Sequence, residues 1–244
     1  MSILVIVLLA AVAALSSALT INSTNKMDMK WVSPCNVSRT NGSNPDTAYC
    51  QLEDHADLLN KTVIQARIAL NHAELFRDDF IRQIFKTNEV ACVLKLWRQH
   101  HYTWLPTRIE IPKELGEKLD NEHLNKLDIN TSLVAAYEYM QKYAVGLEQV
   151  VWDQKDYHPR NQSYHQKFVE VECKLQAVLC MIQVAIEERC VTRRPDVTRD
   201  IMPPDFRNTT DMTSRGLRDW LIFRDYMNGL EYVIQVFSHL CLRL

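Results

Sequence analysis

Glycine is scarce in this sequence. Five occur in 244 residues, Gly42, Gly116, Gly146, Gly216 and Gly229, against the roughly 7% of an average chain. No two are close together. The dinucleotide-binding loop, the phosphate-binding P-loop and the G-x-S-x-G nucleophile elbow all need clustered glycines, so none of them is present. A turn-rich all-β fold is disfavoured for the same reason. Positive charge is not in excess either: 28 Lys and Arg stand against 30 Asp and Glu, a formal net charge of −2. No basic excess points to nucleic acid. The seven cysteines form no C-x-x-C, which argues against a zinc site. The adjacent His100 and His101 lack ligand spacing. Neither H-E-x-x-H nor E-x-x-H occurs, which removes the zinc-protease and di-metal bundle signatures. The sequence therefore leads us to expect no catalytic residue, no metal and no cofactor, and a protein that is not an enzyme.

Long apolar runs are equally rare. Ile3 to Leu15 is uninterrupted, and the small residues Ser16-Ser17-Ala18 follow. The run is short of the ~20 residues that span a bilayer. It reads as a signal peptide, residues 1–18, cleaved after Ala18; the alternative is an uncleaved anchor extending to Ile21. No second such run exists, so a secreted, extracellular chain is expected, with no membrane insertion after cleavage. N-x-S/T sequons at Asn22, Asn36, Asn41, Asn60, Asn130, Asn161 and Asn208 agree, because chance would supply roughly one or two glycosylation sites. Asn60 is the odd one, lying inside an expected helix. In an oxidising compartment Cys35, Cys50, Cys92, Cys173, Cys180, Cys190 and Cys241 imply two or three disulfides. Their odd number leaves at least one thiol free or intermolecular. A monomer is expected unless that cysteine pairs between chains. Cys173 and Cys180 fall opposite the apolar stripe of their helix, which favours bridges to the N-terminal arm or to a connector. A pairing among Cys50, Cys190 and Cys241 is also geometrically open.

Apolar residues recur at steps of three and four in four stretches, the mark of a buried helical stripe. The first runs Leu52, Ala56, Leu59, Val63, Ala66, Leu70, Ala73 and continues to about Phe85, with Asp46 as its cap. The second runs Leu133, Tyr137, Met140, Ala144, Leu147, Val151, starting as early as residue 120. The third runs Phe168, Val171, Leu175, Val178, Ile182, Ala185, opened by the Ser163–Gln166 capping box. The fourth runs Trp220, Phe223, Met227, Leu230, Ile234, Phe237, Cys241, capped by Thr213 or Ser214. The connectors run long, short, long: Gln99 to Leu119, Asp153 to Gln162, and Val191 to Thr213. Each long one can travel the full length of a bundle. The expected fold is all-α, a four-helix bundle over residues 46–244 with two long crossover loops and up-up-down-down topology. Residues 19–45 are polar and read as a flexible N-terminal arm unless Cys35 staples it down.

Two segments carry a resemblance. Arg218-Asp219-Trp220-Leu221-Ile222-Phe223-Arg224-Asp225-Tyr226, followed by Leu230, is similar to the last helix of the interleukin-6 and ciliary neurotrophic factor group of long-chain helical cytokines. Ala136-Tyr137-Glu138-Tyr139-Met140 resembles the second helix of that group. An arthropod ligand of the unpaired type fits this resemblance. It implies binding to ectodomains of single-pass class I cytokine receptors and signalling through Janus kinases and STAT proteins. It implies three receptor faces: helices one and three, the end of helix four with the first crossover, and the start of helix four. The basic residues expected near the end of helix four are reduced to Arg243.

Candidate receptor contacts are Arg218 and Trp220 at the start of helix four, Trp97, Tyr102 and Trp104 in the first crossover, and Arg67 on helix one. Aromatic residues are enriched at interface centres. The plainer reading makes Trp220 a core residue and the crossover aromatics a lid packed on the bundle. Arg193-Arg194 reads as a solvated loop or a processing site. Two other functions remain open. One is a secreted, disulfide-stapled helical carrier of a small apolar ligand, which needs an internal cavity. The other is a secreted structural protein without a dedicated receptor.

Overall fold

The computed structural model describes residues 29–35, 55–157 and 162–244. The expected signal peptide, most of the arm, the Asp46 cap, Cys50, and the sequons at Asn22, Asn36, Asn41 and Asn161 lie outside them. Among the described residues the chain is helical and contains no strand. Four long helices dominate: α1 (His55–Phe85), α4 (Ile129–Tyr157), α5 (Gln162–Glu188) and α7 (Met212–Cys241). Short helices α2 (Val90–Leu96), α3 (Asn121–Asn125) and α6 (Pro204–Arg207), with a 3-10 turn at Arg199–Ile201, lie in the connections.

The stripes read from the sequence are the core. Leu59, Val63, Ala66 and Ala73 of α1, all six stripe residues of α4, all six of α5, and Trp220 through Phe237 of α7 are buried. Their ends follow local chemistry. Asp128 accepts the Thr131 N–H at the start of α4 (3.0 Å). Asp211, rather than Thr213 or Ser214, caps α7 by accepting the Ser214 N–H (2.7 Å), because the helix opens at Met212 and places both hydroxyl residues inside its first turn. Lys86, with φ 52°, ends α1.

Helix α1 packs on α5 and α7, and α4 packs on the same two. Each contact joins early residues of one helix to late residues of the other. Cys241 Sγ lies 3.6 Å from Ala56 O. Phe80 packs on Tyr164 with ring centroids 5.5 Å apart. Arg189, just past α5, donates to Asn130 near the start of α4 (2.8 Å). Asp153, late in α4, pairs with Arg218, early in α7. The centre is filled by rings: Phe76, Phe80, Phe168 and Phe223 meet with centroids 4.9 to 5.8 Å apart.

Helix α7 departs from the usual amphipathic pattern. Every residue from Arg218 to Leu230 is buried, charged ones included. A bundle helix normally keeps one face in water. Here the first connection, residues 86–128, lies across the outer face of α7. The second, residues 189–211, covers its start.

Residues Met29–Cys35 belong to the expected flexible arm, but they are packed. The Cys35–Cys180 disulfide staples them to α5. Trp31 is 2% exposed and donates its Nε1–H to Val197 O of the second connection (2.7 Å). Its backbone carbonyl accepts from Gln141 of α4 (3.2 Å). The Arg199 guanidinium lies over the Trp31 and Trp152 rings and pairs with Glu148 (2.7 Å). This short segment therefore joins α4, α5 and the second connection through the Trp31 carbonyl, the Cys35 disulfide and the Trp31 indole.

Close helix approach at Gly229 gives a test. A Cβ there would overlap the Tyr143 ring and come within 3.0 Å of Met140 Cε, and both neighbours are themselves buried. Gly229→Ala should destabilise by about 1–3 kcal/mol through overpacking. That exceeds the ~1 kcal/mol that alanine gains over glycine in a helix. A urea midpoint equal to or above the parent's would show that α4 and α7 can separate there.

Candidate functional site

Two surfaces stand out. The first is a cleft of about 620 Å³ bounded by α1 (Glu74, Arg77), α2 (Ala91, Leu94, Lys95), the first connection (Arg98 and Glu114 to Glu117) and α7 (Arg224, Glu231). Its walls mix both signs of charge with the apolar side chains of Ala91, Leu94 and Leu115.

The cleft is held in shape by polar groups of α7 that reach outward into the connection. Arg224 donates to the backbone carbonyls of Trp97 and His100 and to Asp225 Oδ1. Arginine suits this role because its fixed fork binds several acceptors at once. Lys113 is 1% exposed. It reaches back to Asn228 Oδ1 (2.6 Å) and to Glu231, and burial lowers its pKa. Glu231 also accepts the Gly116 N–H (2.8 Å). Gly116 sits at φ 85°, in the region that favours glycine. Leu119 N–H donates to Gln235 (2.7 Å), whose amide donates to Glu117 O (3.0 Å). Arg98 pairs with Glu117 across the rim.

His101 sits between two carboxylates, 3.5 Å from Asp225 and 3.3 Å from Glu114, with Arg108 on the far side of Glu114 at 2.8 Å. The Asp225 contact raises the His101 pKa above its ordinary 6.5, against the opposing effect of burial.

The second surface is the outer face of α1. Ile64, Ile68 and Leu75 are 54%, 45% and 83% exposed, spaced four and seven apart so that they share one side of the helix. Arg67 is exposed beside them. These aliphatics lie off the core stripe. Their off-stripe position is the signal that sequence reading passed over.

The predicted receptor contacts divide. Arg67 is on the surface. Trp97 and Tyr102 are half-buried, and Trp104 is buried. Tyr102 stacks on Trp104 (6.0 Å) and packs on Phe206 (4.6 Å), so this cluster joins the two connections. Arg218 and Trp220 are 1% and 0% exposed. The expectation that they form an accessible face is corrected: the second connection covers the start of α7, and Arg218 donates to Phe206 O within it (2.6 Å).

The cysteines also divide. Cys35 pairs with Cys180. Cys190 is disulfide-bonded as well. Cys92, Cys173 and Cys241 carry free thiols. Cys173 thus does not share the bridge expected for its helix face. It lies near the start of the packed segment, where Lys30 pairs with Glu172, whereas Cys35 lies at its end. A Cys190–Cys241 bridge is likewise absent. Of the described sequons, Asn208 and Asn60 are exposed, and Asn130 is half-buried with its Oδ1 accepting from Arg189. No group of three or more His, Cys, Asp or Glu among the described residues could hold a metal ion. No described helix is long and apolar enough to cross a membrane.

The chain matches no protein-family model, and comparison with curated proteins and with solved structures yields no match.

The cleft makes two expectations. Glu231→Ala leaves the buried Lys113 ammonium uncompensated. Losing one partner of such a pair costs about 3 kcal/mol, and the Gly116 amide loses its acceptor. Hydrogen exchange should quicken across residues 113–119; unchanged protection would show that this wall stands without Glu231. His101 has a raised folded pKa, so its contribution is complete below 6.5 and fades as pH rises through the raised value. His101→Gln should flatten the stability profile in that window, read by chemical denaturation across neutral pH.

Proposed function

We propose that the chain is a secreted helical cytokine that binds and clusters single-pass class I cytokine receptors and thereby triggers JAK/STAT signalling. In this reading the long helices are connected up-up-down-down. Its work is binding, with no cofactor and no catalysed reaction. The observation that carries it is the arrangement of the four long helices. Each of the four neighbouring pairs meets early residue to late residue. Helices α1 and α4 then run the same way and require a long connection, as do α5 and α7, which is the pattern of growth hormones and cytokines.

Two rigid surfaces on one bundle suit a ligand that holds two receptor chains. The α1 face offers an apolar stripe beside Arg67, and the cleft offers a charged, sculpted recess at the first connection. Trp97 and Tyr102 stand at the edge of that connection with part of their rings exposed. Trp104 supports Tyr102 from within, Arg218 holds the second connection, and Trp220 lies in the core. A carrier of a small apolar ligand needs an enclosed apolar cavity, whereas the described core is filled with aromatic rings.

The test is a reporter assay with the secreted, purified protein on cells carrying single-pass cytokine receptors and a STAT reporter. A saturable, nanomolar response is expected. Ile68→Asp and Arg67→Glu should each lower potency about tenfold or more, the loss of ~1.4 kcal/mol of binding, without shifting the denaturation midpoint. Arg218→Ala should instead lose activity only together with folding. No response from a folded, monomeric protein, with lipid found by native mass spectrometry, would overturn the cytokine reading in favour of a carrier.

A further inference from the structure

Helices α4 and α7 enclose a polar cluster whose charges do not balance. Asp153, Arg218 and Asp219 are 5%, 1% and 1% exposed. Two carboxylates thus share one guanidinium in the interior. Arg218 donates to Asp219 Oδ1 through Nε (3.0 Å) and Nη2, to Asp153 Oδ2 through Nη2, and to Phe206 O through Nη1 (2.6 Å). Gln149 donates to Asp153 Oδ1 (3.0 Å). The remaining Asp219 oxygen, Oδ2, faces the Gln154 amide at 3.4 Å, a long contact through its nitrogen. The amide oxygen of Gln154 is buried and has no partner.

Turning the amide over and protonating Asp219 gives the orphaned oxygen a donor and moves the Gln154 NH2 to the position the oxygen leaves. The orphaned Oε1 then faces Oδ2, and an O–H on Oδ2 donates to it. Side-chain amide orientation is set by such partners. The cluster becomes one carboxylate, one guanidinium and one neutral acid, with no uncompensated buried charge. The surrounding charged groups do not remove the need for the proton. From the second connection, Arg207 donates to Gln149 Oε1 and Arg199 O. From the first, Tyr102 packs nearby as a neutral phenol, its pKa pushed up to about 12 by burial.

We propose that Asp219 carries a proton in the folded protein, donates it to Gln154, and acts as an acid-closed clamp joining α4, the start of α7 and the second connection. Burial agrees with this, pushing the Asp219 carboxyl up to about 7 against the pull of Arg218. The folded state then holds a proton that the unfolded chain has released. Stability is fully present below the ordinary carboxylate range and falls as pH rises toward about 7. Each pH unit within that window weakens the folding equilibrium up to tenfold. When the proton leaves to solvent, Asp153 and Asp219 compete for the single positive charge of Arg218, which also holds Phe206 O, and the second connection loosens.

The decisive comparison is chemical denaturation of the full secreted chain and Asp219→Asn at intervals from about pH 4.5 to 8. Asparagine keeps the shape of the protonated acid: its amide N–H donates to Gln154 Oε1 and its oxygen accepts from Arg218. Glu172, also raised by burial, and His101 contribute slopes of the same sign, so the difference between parent and variant is what decides. Asp219→Asn should match the parent at the acid end and exceed it at the alkaline end, by at least tenfold in the folding equilibrium. A variant weaker than the parent throughout, with an unchanged slope, would show that Asp219 is an ordinary ionised partner of Arg218. If the variant fails to fold, carboxyl-carbon NMR of the parent takes over. Titration of Asp219 near neutrality supports the clamp, and titration in the ordinary Asp range overturns it.

Discussion

The structure depends on the burial of α7. A helix enclosed on every side must satisfy each polar side chain without bulk water, because an unpaired buried charge costs several kcal/mol. Helix α7 brings Arg215, Arg218, Asp219, Arg224, Asp225 and Asn228 inside. Its neighbouring helices provide part of what these groups need. Backbone carbonyls of the connections serve the arginines: Thr209 and Thr210 for Arg215, Phe206 for Arg218, Trp97 and His100 for Arg224. The arginines act as pegs that fasten the connections to the bundle.

This turns two long connections into structural layers. Residues 86–128 are fixed along α7 at Arg224, Asn228, Glu231 and Gln235, which span about three turns of helix. Residues 189–211 are fixed at Arg218 and, on the other side, by Trp31 and the stapled N-terminal segment. The cleft arises where α2 and the connection stand away from α1. Its shape is set by the ion pairs of its walls. Such preorganisation favours binding by lowering the ordering cost at association.

The stripes were legible because burial selects apolar residues at helical spacing, whatever they pack against. Leu133 to Val151 and Phe168 to Ala185 needed no tertiary information. The length of the connections was equally readable. The partition of candidate site residues was not. Trp220 reads as core from its place on the stripe, and only the resemblance makes it and Arg218 candidates for an exposed face. For Arg218, the Phe206 carbonyl of the second connection shows that the face is covered. Ile64, Ile68 and Leu75 fall outside the stripe of α1, and a one-dimensional stripe does not say which other side of a helix is left uncovered.

Sequence by itself determined four long helices, their cores, the long-short-long connections and the absence of glycine-loop motifs. Those features follow from spacing and composition, which are local. Tertiary structure decided that α7 is enclosed, that Cys35 finds Cys180 while Cys173 stays free, and that the buried arginines hold the connections. Each of these depends on groups separated by many residues meeting in space, and the chemistry of one partner does not specify the other.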